Sequence, residues 1–514
     1  MEEFAKWAEG LKIEEIPQEV IKKAKLQVLS VISAGVSGFF EARRILERFP
    51  VKSGECSSLF FERRTDLISS IFVNSFSSMV HDYDDYLFLG HTGHSSVWTS
   101  LAVSQEYGLS GIDFLKGIIM GNELEGRLGA AVVLGPLNGQ TFAHIHQAGS
   151  SSIFCTLRGG KASEIENSVY LSLYLPPFCI LSGFMGGEGK FLTAGIPSVS
   201  GIFCGISAVS GMKGNRNTLN DFLKRFSFRP IPGVLSGWGK VWTTNTLSYK
   251  IYPGCAYIDS AIDCMMRIKK RFEEERGRRI LPEDVEKIKV HATILSVAME
   301  KASESGRGES LTPVNINFSI PLSISVLISS GELSPGSLSE KNLKEKKGEI
   351  LKVAGKIELI HDWKLTLNMV KRMNEKVDFI SLSGITLKDM PFLIKSFRRE
   401  HGKLMGLKNI GLRIPFKELL KISRKRIKDL SETDLNSFPM PFSAWVVAKI
   451  GGKVYEEFQE DPLGSSGRPF SETEELVIQK FKKETEVLGR EKTERILNSV
   501  LEVEKIKDMR DFPL

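Results

Sequence analysis

Between Glu166 and Lys213 the chain carries only two charges, Glu188 and Lys190. A segment this poor in charge cannot form a solvated surface, so it must pack against other protein. Small residues are frequent both just before it, in "HQAGSSSIFCTLRGG" (146–160), and towards its end, in "TAGIPSVSGIFCGISAVSGMKG" (193–214). Small side chains let helix backbones approach closely. The segment therefore predicts tightly packed helices in a compact helical domain, not a sheet. The longest apolar run, "VLSVISAGVSGFF" (28–40), is broken by Ser and Gly. It falls short of the roughly 20 apolar residues that span a bilayer.

The rest of the first 250 residues follows the same pattern. Pro17 opens an apolar-periodic run (17–35), and Thr65 or Asp66 can cap another that extends through Tyr86. A third covers 111–135. The texture changes near residue 250. "VEKIKVHATI" (285–294), "VAGKIELIHD" (353–362) and "VDFISLSGITL" (377–387) are short β-branched runs, and "WVVAKIGGKVYEEF" (445–458) has the Gly-Gly of a hairpin. "EDPLGSSGRPF" (460–470) reads as a linker, followed by a helix with Ser471 and Glu474 at capping-box spacing. The predicted class is mainly α with an α+β second domain. Residues 1–250 form the helical domain, 251–460 an α+β lid, and 461–514 are helices that return to the first domain. A chain of 514 residues exceeds one simple core.

Six cysteines without a C-x-x-C pair read as buried thiols. The N-terminus "MEEFAKWAEGLKIEEIP" lacks the basic and apolar regions of a secretory signal, so a cytoplasmic protein is expected. Residues 1–210 carry a net −5 and residues 211–514 a net +12, against +7 for the whole chain.

Chemistry concentrates in "HDYDDYLFLGHTGHSS" (81–96), which holds three of the eight histidines. If the preceding helix continues, Asp82, Asp85 and Tyr86 share a face at i, i+3 and i+4 while Asp84 points elsewhere. Gly90 and Gly93 then display His91 and His94 on a loop. A carboxylate facing an imidazole is an acid/base pair suited to neutral pH. A zinc site from Asp82, His91 and His94 is a weaker reading of the same residues. Asp82 and Asp85 as mere helix-end carboxylates is the plainest. Lys190 and Lys250 stand in apolar sequence and call for anions, whether substrate carboxylates or protein partners. Arg127 follows Glu123 at ion-pair spacing. His81 and Cys255 read as structural.

These stretches, with "GEGKFLTAGIPSVSGIFCGISAVSG" (187–211), "SYKIYPGCAYIDSAID" (248–263) and "INFSIPLSISVLISSGEL" (316–333), resemble the MmgE/PrpD family in order. That family includes 2-methylcitrate dehydratase, cis-aconitate decarboxylase and iminodisuccinate epimerase. The resemblance implies a helical domain with a lid, a homodimer, no metal or organic cofactor, and a small carboxylic acid substrate. It implies His94 and Asp82 as catalytic groups. Tyr86, His91, Gln140, Lys190 and Lys250 become substrate contacts. The reaction it favours is dehydration of a hydroxy di- or tricarboxylic acid, with decarboxylation or epimerisation as alternatives. Four positions depart from the family pattern. Tyr86 replaces a Thr, Ser95 follows His94 in place of Pro, Gln140 replaces a His, and Asp259 replaces another His. His144 and His146 are the alternatives to Gln140.

A rival class is a binding protein. Phe416, Leu419, Leu420, Ser423, Ile427 and Leu430 form one face of a basic helix, a pattern also met on membranes and nucleic acids. A solvated lid surface accounts for it more simply, so neither partner is expected. A family member that binds an acid without turnover is a third possibility.

Overall fold

The computed structural model describes residues 1–59, 63–88, 90–135, 143–304, 311–389, 391–392, 395–396, 418 and 427–514. The fold is mainly α with a smaller α+β part.

The central helix, Gln18–Leu46, follows Pro17 and is buried along most of its length. It packs on Leu67–Met79 and on the C-terminal helix Phe470–Thr485. Asp66 caps Leu67–Met79 by accepting from the Ile68 and Ser69 amides. Helices Gly93–Glu106, Gly111–Ala131, Ala143–Leu157, Ala162–Tyr174 and Leu192–Val209 complete the layer. The prediction of close helix packing holds at atomic level. A Cβ on Gly201 would lie 2.4 Å from the Gln147 carbonyl, and one on Gly205 would lie 2.9 Å from the Ser151 carbonyl. Helix Leu192–Val209 thus rides directly on the backbone of Ala143–Leu157.

Together with its 3-10 lead-in, Glu188–Val209 is long and apolar enough to cross a membrane by length and composition, which overturns 28–40 as the longest apolar run. Half of its apolar window is buried in this fold.

Beyond residue 250 a four-stranded sheet forms. Its order is Ile357–His361, Val285–Ala292, Ala444–Ile450, Lys453–Gln459, with the first pair parallel and the others antiparallel. Gly451 and Gly452 have φ of 57° and 78°, the left-handed values that a two-residue hairpin turn demands. Asp259–Arg276 covers this sheet.

Two local expectations fail, and a third falls largely outside the described residues. The strand expected at 377–387 is a short helix, Phe379–Ser383, capped by Asp378, then a 3-10 turn at Leu387–Asp389. Asp378 offers the first turn a side-chain acceptor that a strand could not use. The last long helix starts at Phe470 after Pro469 without a side-chain cap, so Ser471 and Glu474 lie inside it and form no capping box. Of the predicted basic helix face, Phe416, Leu419, Leu420 and Ser423 lie outside the described residues. Ile427 and Leu430 are buried, Leu430 in a 3-10 turn.

Candidate active site

The helix Leu67–Met79 does not continue through His81–Tyr86. Asp82 adopts φ of 52°, in the left-handed region that aspartate tolerates better than most residues. The chain then extends, and Asp85–Tyr86 pairs antiparallel with Ser248–Tyr249. The i, i+3, i+4 reading of Asp82, Asp85 and Tyr86 is therefore wrong. In extended chain, Asp82 and Asp84 fall on one side and Asp85 on the other.

Asp84, set aside in the sequence reading, is the hub. Its Oδ2 lies 2.9 Å from His94 Nε2 and 3.2 Å from His91 Nδ1, and its Oδ1 lies 2.9 Å from Lys250 Nζ. Asp82 pairs with both lysines, its Oδ1 3.2 Å from Lys190 Nζ and its Oδ2 3.2 Å from Lys250 Nζ. Lys190 also donates to the Met79 carbonyl at 2.5 Å, and Lys250 to the Asp82 carbonyl at 2.8 Å. Lys190, Asp82, Lys250 and Asp84 thus form a buried chain of alternating charge that ends on an imidazole.

Burial pushes the Asp82 carboxyl up, but Lys190 and Lys250 outweigh it and hold it down to about 2. Burial acts the same way on Asp84, and His94, Lys250 and His91 hold it well below the usual carboxylate range. Burial lowers Lys190 despite Asp82, whereas Lys250, facing two carboxylates, ends above the ordinary lysine value. His94 is lowered by burial against the pull of Asp84.

His94 lies in the first turn of Gly93–Glu106, not on a loop. Its Nδ1 is 2.8 Å from Ser78 Oγ, whose oxygen accepts from Trp98 Nε1 at 3.1 Å. Ser78 Oγ also lies 3.1 Å from the Ser75 carbonyl, so the ring is held at Nδ1 by this hydroxyl while Nε2 faces the Asp84 carboxylate. His91 stays on the loop and keeps 18% of its side chain exposed, the open edge of a sealed cluster.

Lys480 comes from the far end of the chain. Its ammonium donates to Ser30 Oγ at 3.0 Å, to the Tyr83 carbonyl at 2.5 Å and to the Lys250 carbonyl at 3.0 Å. It pins the two extended segments that carry Asp84 and Lys250. Burial lowers it to about 7. Its one sequence signal was a lysine on the apolar face beside Val477 and Phe481.

A second imidazole, His146, completes the surroundings. Its ring centre is 6.3 Å from that of His94. Its Nδ1 is 2.7 Å from Ser95 Oγ, which is also 2.7 Å from Glu125 Oε2. His144, two residues closer to Gln140 in sequence, packs instead on Phe222 and Phe226. Gln140 itself lies outside the described residues.

Of the expected site residues, the fold brings together Asp82, His94, His91, Lys190 and Lys250. Tyr86 faces elsewhere, packed on Phe442 with its hydroxyl near Ser248 and Asp259. Arg127 pairs with Glu123 as its spacing predicts. Cys255 is buried, and burial raises its thiol.

Asp84, His91 and His94 present donor atoms within 4.8 Å of one another, the cluster among the described residues that could hold a metal. Asp82, part of the zinc reading, is not in it, because two lysines claim its oxygens. With the Lys250 ammonium 2.9 Å from Asp84, the cluster suits proton sharing better than a dication.

Residues 2–223 match the model for the MmgE/PrpD N-terminal domain. A cis-aconitate decarboxylase of Aspergillus terreus (strain NIH 2624 / FGSC A1156) is 24% identical over 306 residues, covering 54% of this chain and 61% of the relative. A cis-aconitate decarboxylase-like protein, oryM, of Aspergillus oryzae is 22% identical over 309 residues, covering 53% and 62%. The match thus spans about three fifths of the length of these curated relatives.

Proposed function

We propose that this chain, whose residues 2–223 match the MmgE/PrpD N-terminal domain model, is a lyase acting on a small di- or tricarboxylic acid by acid/base catalysis. One observation carries the reading: the buried Lys190–Asp82–Lys250–Asp84 chain ends on His94, an imidazole oriented from both ring nitrogens.

Lys190, with two acceptors engaged, supplies a donor and positive charge to a substrate carboxylate. That neutralises the enolate-like charge that grows when the adjacent bond breaks. Lys250 holds the two aspartates in place, and Asp84 orients His94 as an acid/base group. Asp82 acts by fixing the lysines. His91, at the open edge, and Gln140 contact the substrate.

Dehydration of a hydroxy acid and decarboxylation both use this constellation. The names of the relatives support decarboxylation, and we favour it over the dehydration expected from sequence. Turnover of a panel of hydroxy and unsaturated di- and tricarboxylic acids, followed by CO2 release and by absorbance of the unsaturated acid, tests the choice. His94→Ala and Lys190→Ala should each abolish turnover with the fold intact. Full activity in both variants overturns the reading.

The same proposal includes a cytoplasmic homodimer that works without a metal or organic cofactor. Tyr174, Leu175, Phe178, Ile180, Ile196 and Phe203 are more than half exposed. An apolar surface of this size suits a second copy of the chain. Light scattering should report a dimer, and chelator-treated protein should keep its activity.

A further inference from the structure

We propose that Glu125 is the proton store of this site, and that Ser95 passes its proton through His146 to the substrate. The inference rests on the decarboxylase reading above and adds the source of the proton which that reaction consumes.

The three groups form a continuous line. Ser95 Oγ lies 2.7 Å from Glu125 Oε2 and 2.7 Å from His146 Nδ1, while Glu125 and His146 are 3.7 Å apart and too far for a good direct bond. The hydroxyl is the required link. Ser95 Oγ has one other contact, the Thr92 carbonyl at 3.1 Å.

Glu125 is sealed. It is fully buried, and its Oε1 has no hydrogen-bond partner among the described residues. Gly149 makes room for it, since a Cβ there would lie 1.8 Å from Oε1. An unpaired carboxylate is costly in such a place, so the neutral acid is the resting form. Burial, with Asp85 nearby, raises Glu125 well above the ordinary glutamate value. Asp85 is itself raised to about 8 by burial and by Asp84. Around His146 the titratable neighbours are His94, His91, His144 and Asp84.

The line has a definite resting order. Glu125 Oε2–H donates to Ser95 Oγ, Ser95 Oγ–H donates to His146 Nδ1, and His146 carries its own proton on Nε2. In decarboxylation the bond between the carboxylate carbon and its neighbour breaks. CO2 departs and the electron pair stays on the neighbouring carbon. That carbon takes the Nε2 proton. Nδ1 takes the Ser95 proton, Ser95 takes the Glu125 proton, and Glu125 becomes the carboxylate. A proton from solvent restores it. Decarboxylation consumes one proton per turnover, whereas dehydration consumes none, so a stored proton serves the first reaction specifically.

The test combines kinetics with nitrogen-15 NMR of His146 in the ligand-free protein. The wild type should show the Nε2–H tautomer. Glu125→Gln keeps a donor to Ser95 and should keep that tautomer, yet cannot release a proton. Its kcat should fall about 10²–10⁴-fold with KM little changed. Ser95→Ala should lose the tautomer preference as well as rate, and Ser95→Thr should recover both. An Nδ1–H tautomer in the wild type, or Glu125→Gln within about threefold of wild type in kcat, overturns the relay. If no acid is turned over, the functional reading fails, while the tautomer still decides the relay.

Discussion

Asp84→Asn is the substitution that most directly tests the charge chain. It keeps size and an acceptor oxygen but removes one negative charge from a site with no solvent. The Asp84–Lys250 pair at 2.9 Å has a gross attraction of about 6 kcal/mol at an effective dielectric of about 20. After the substitution, Lys190 and Lys250 share Asp82 alone, and one ammonium is left without a counter-charge. Removing one partner of a buried pair costs about 3–5 kcal/mol, less than the gross figure because the solvation of the lost charge is recovered. The denaturation midpoint in urea should fall accordingly, with the slope unchanged. Lys250→Met alone should cost a comparable amount. The double variant should cost less than the two together by about 2 kcal/mol or more, since no buried charge is then orphaned. On the catalytic side, His94 keeps its hydrogen bond but loses the carboxylate that stabilises its protonated form, so kcat should drop about 10²–10⁴-fold. A stability loss under about 1 kcal/mol together with strict additivity would refute the reasoning.

Three further outcomes follow. His81 is buried and neutral, lowered by burial to about 4 from the ordinary 6.5. The unfolded chain binds its proton first, so stability should fall by about 3 kcal/mol as pH drops from about 6.5 to about 4. His81→Gln should flatten that part of a urea-midpoint profile, and an unchanged slope would count against it. The depressed Asp82, present as a stabiliser above about 3.8, is lost only as pH falls towards about 2, so the two windows are separable. Gly93→Ala would place a Cβ 2.1 Å from Asp85 Oδ1 and 2.4 Å from Val31 Cγ2. It should cost about 1–3 kcal/mol and impair turnover by shifting His94; wild-type melting would contradict this. Lys480→Met strands the Tyr83 and Lys250 carbonyls and should lower stability by about 2 kcal/mol or more, measured by denaturant titration.

What the sequence disclosed, and what it hid, divides along the range of the forces involved. The helices were legible because burial repeats every three to four residues, and Asp66 and Gly451-Gly452 act on neighbours within the same turn. His91, His94, Lys190 and Lys250 were legible as charges or imidazoles in apolar sequence. The path of His81–Tyr86 was not. Locally, nothing stops the helix at Met79; what holds Asp82 in its left-handed turn are Lys190, Lys250 and Lys480, which lie 108 to 398 positions further along the chain. Because the local rule continued the helix, it put Asp82 with Asp85 and excluded Asp84. One change from helical to extended backbone reverses that assignment, since the side-chain period goes from about 3.6 to 2. His146 and Glu125 were hidden for the same reason: a hydroxyl at Ser95 joins helices that are fifty-one and thirty positions away. A lysine on an otherwise apolar helix face, as at Lys480, is the signal that carries over. Such a charge must end on an acceptor elsewhere in the fold, and here the acceptors are Ser30 Oγ and the Tyr83 and Lys250 carbonyls.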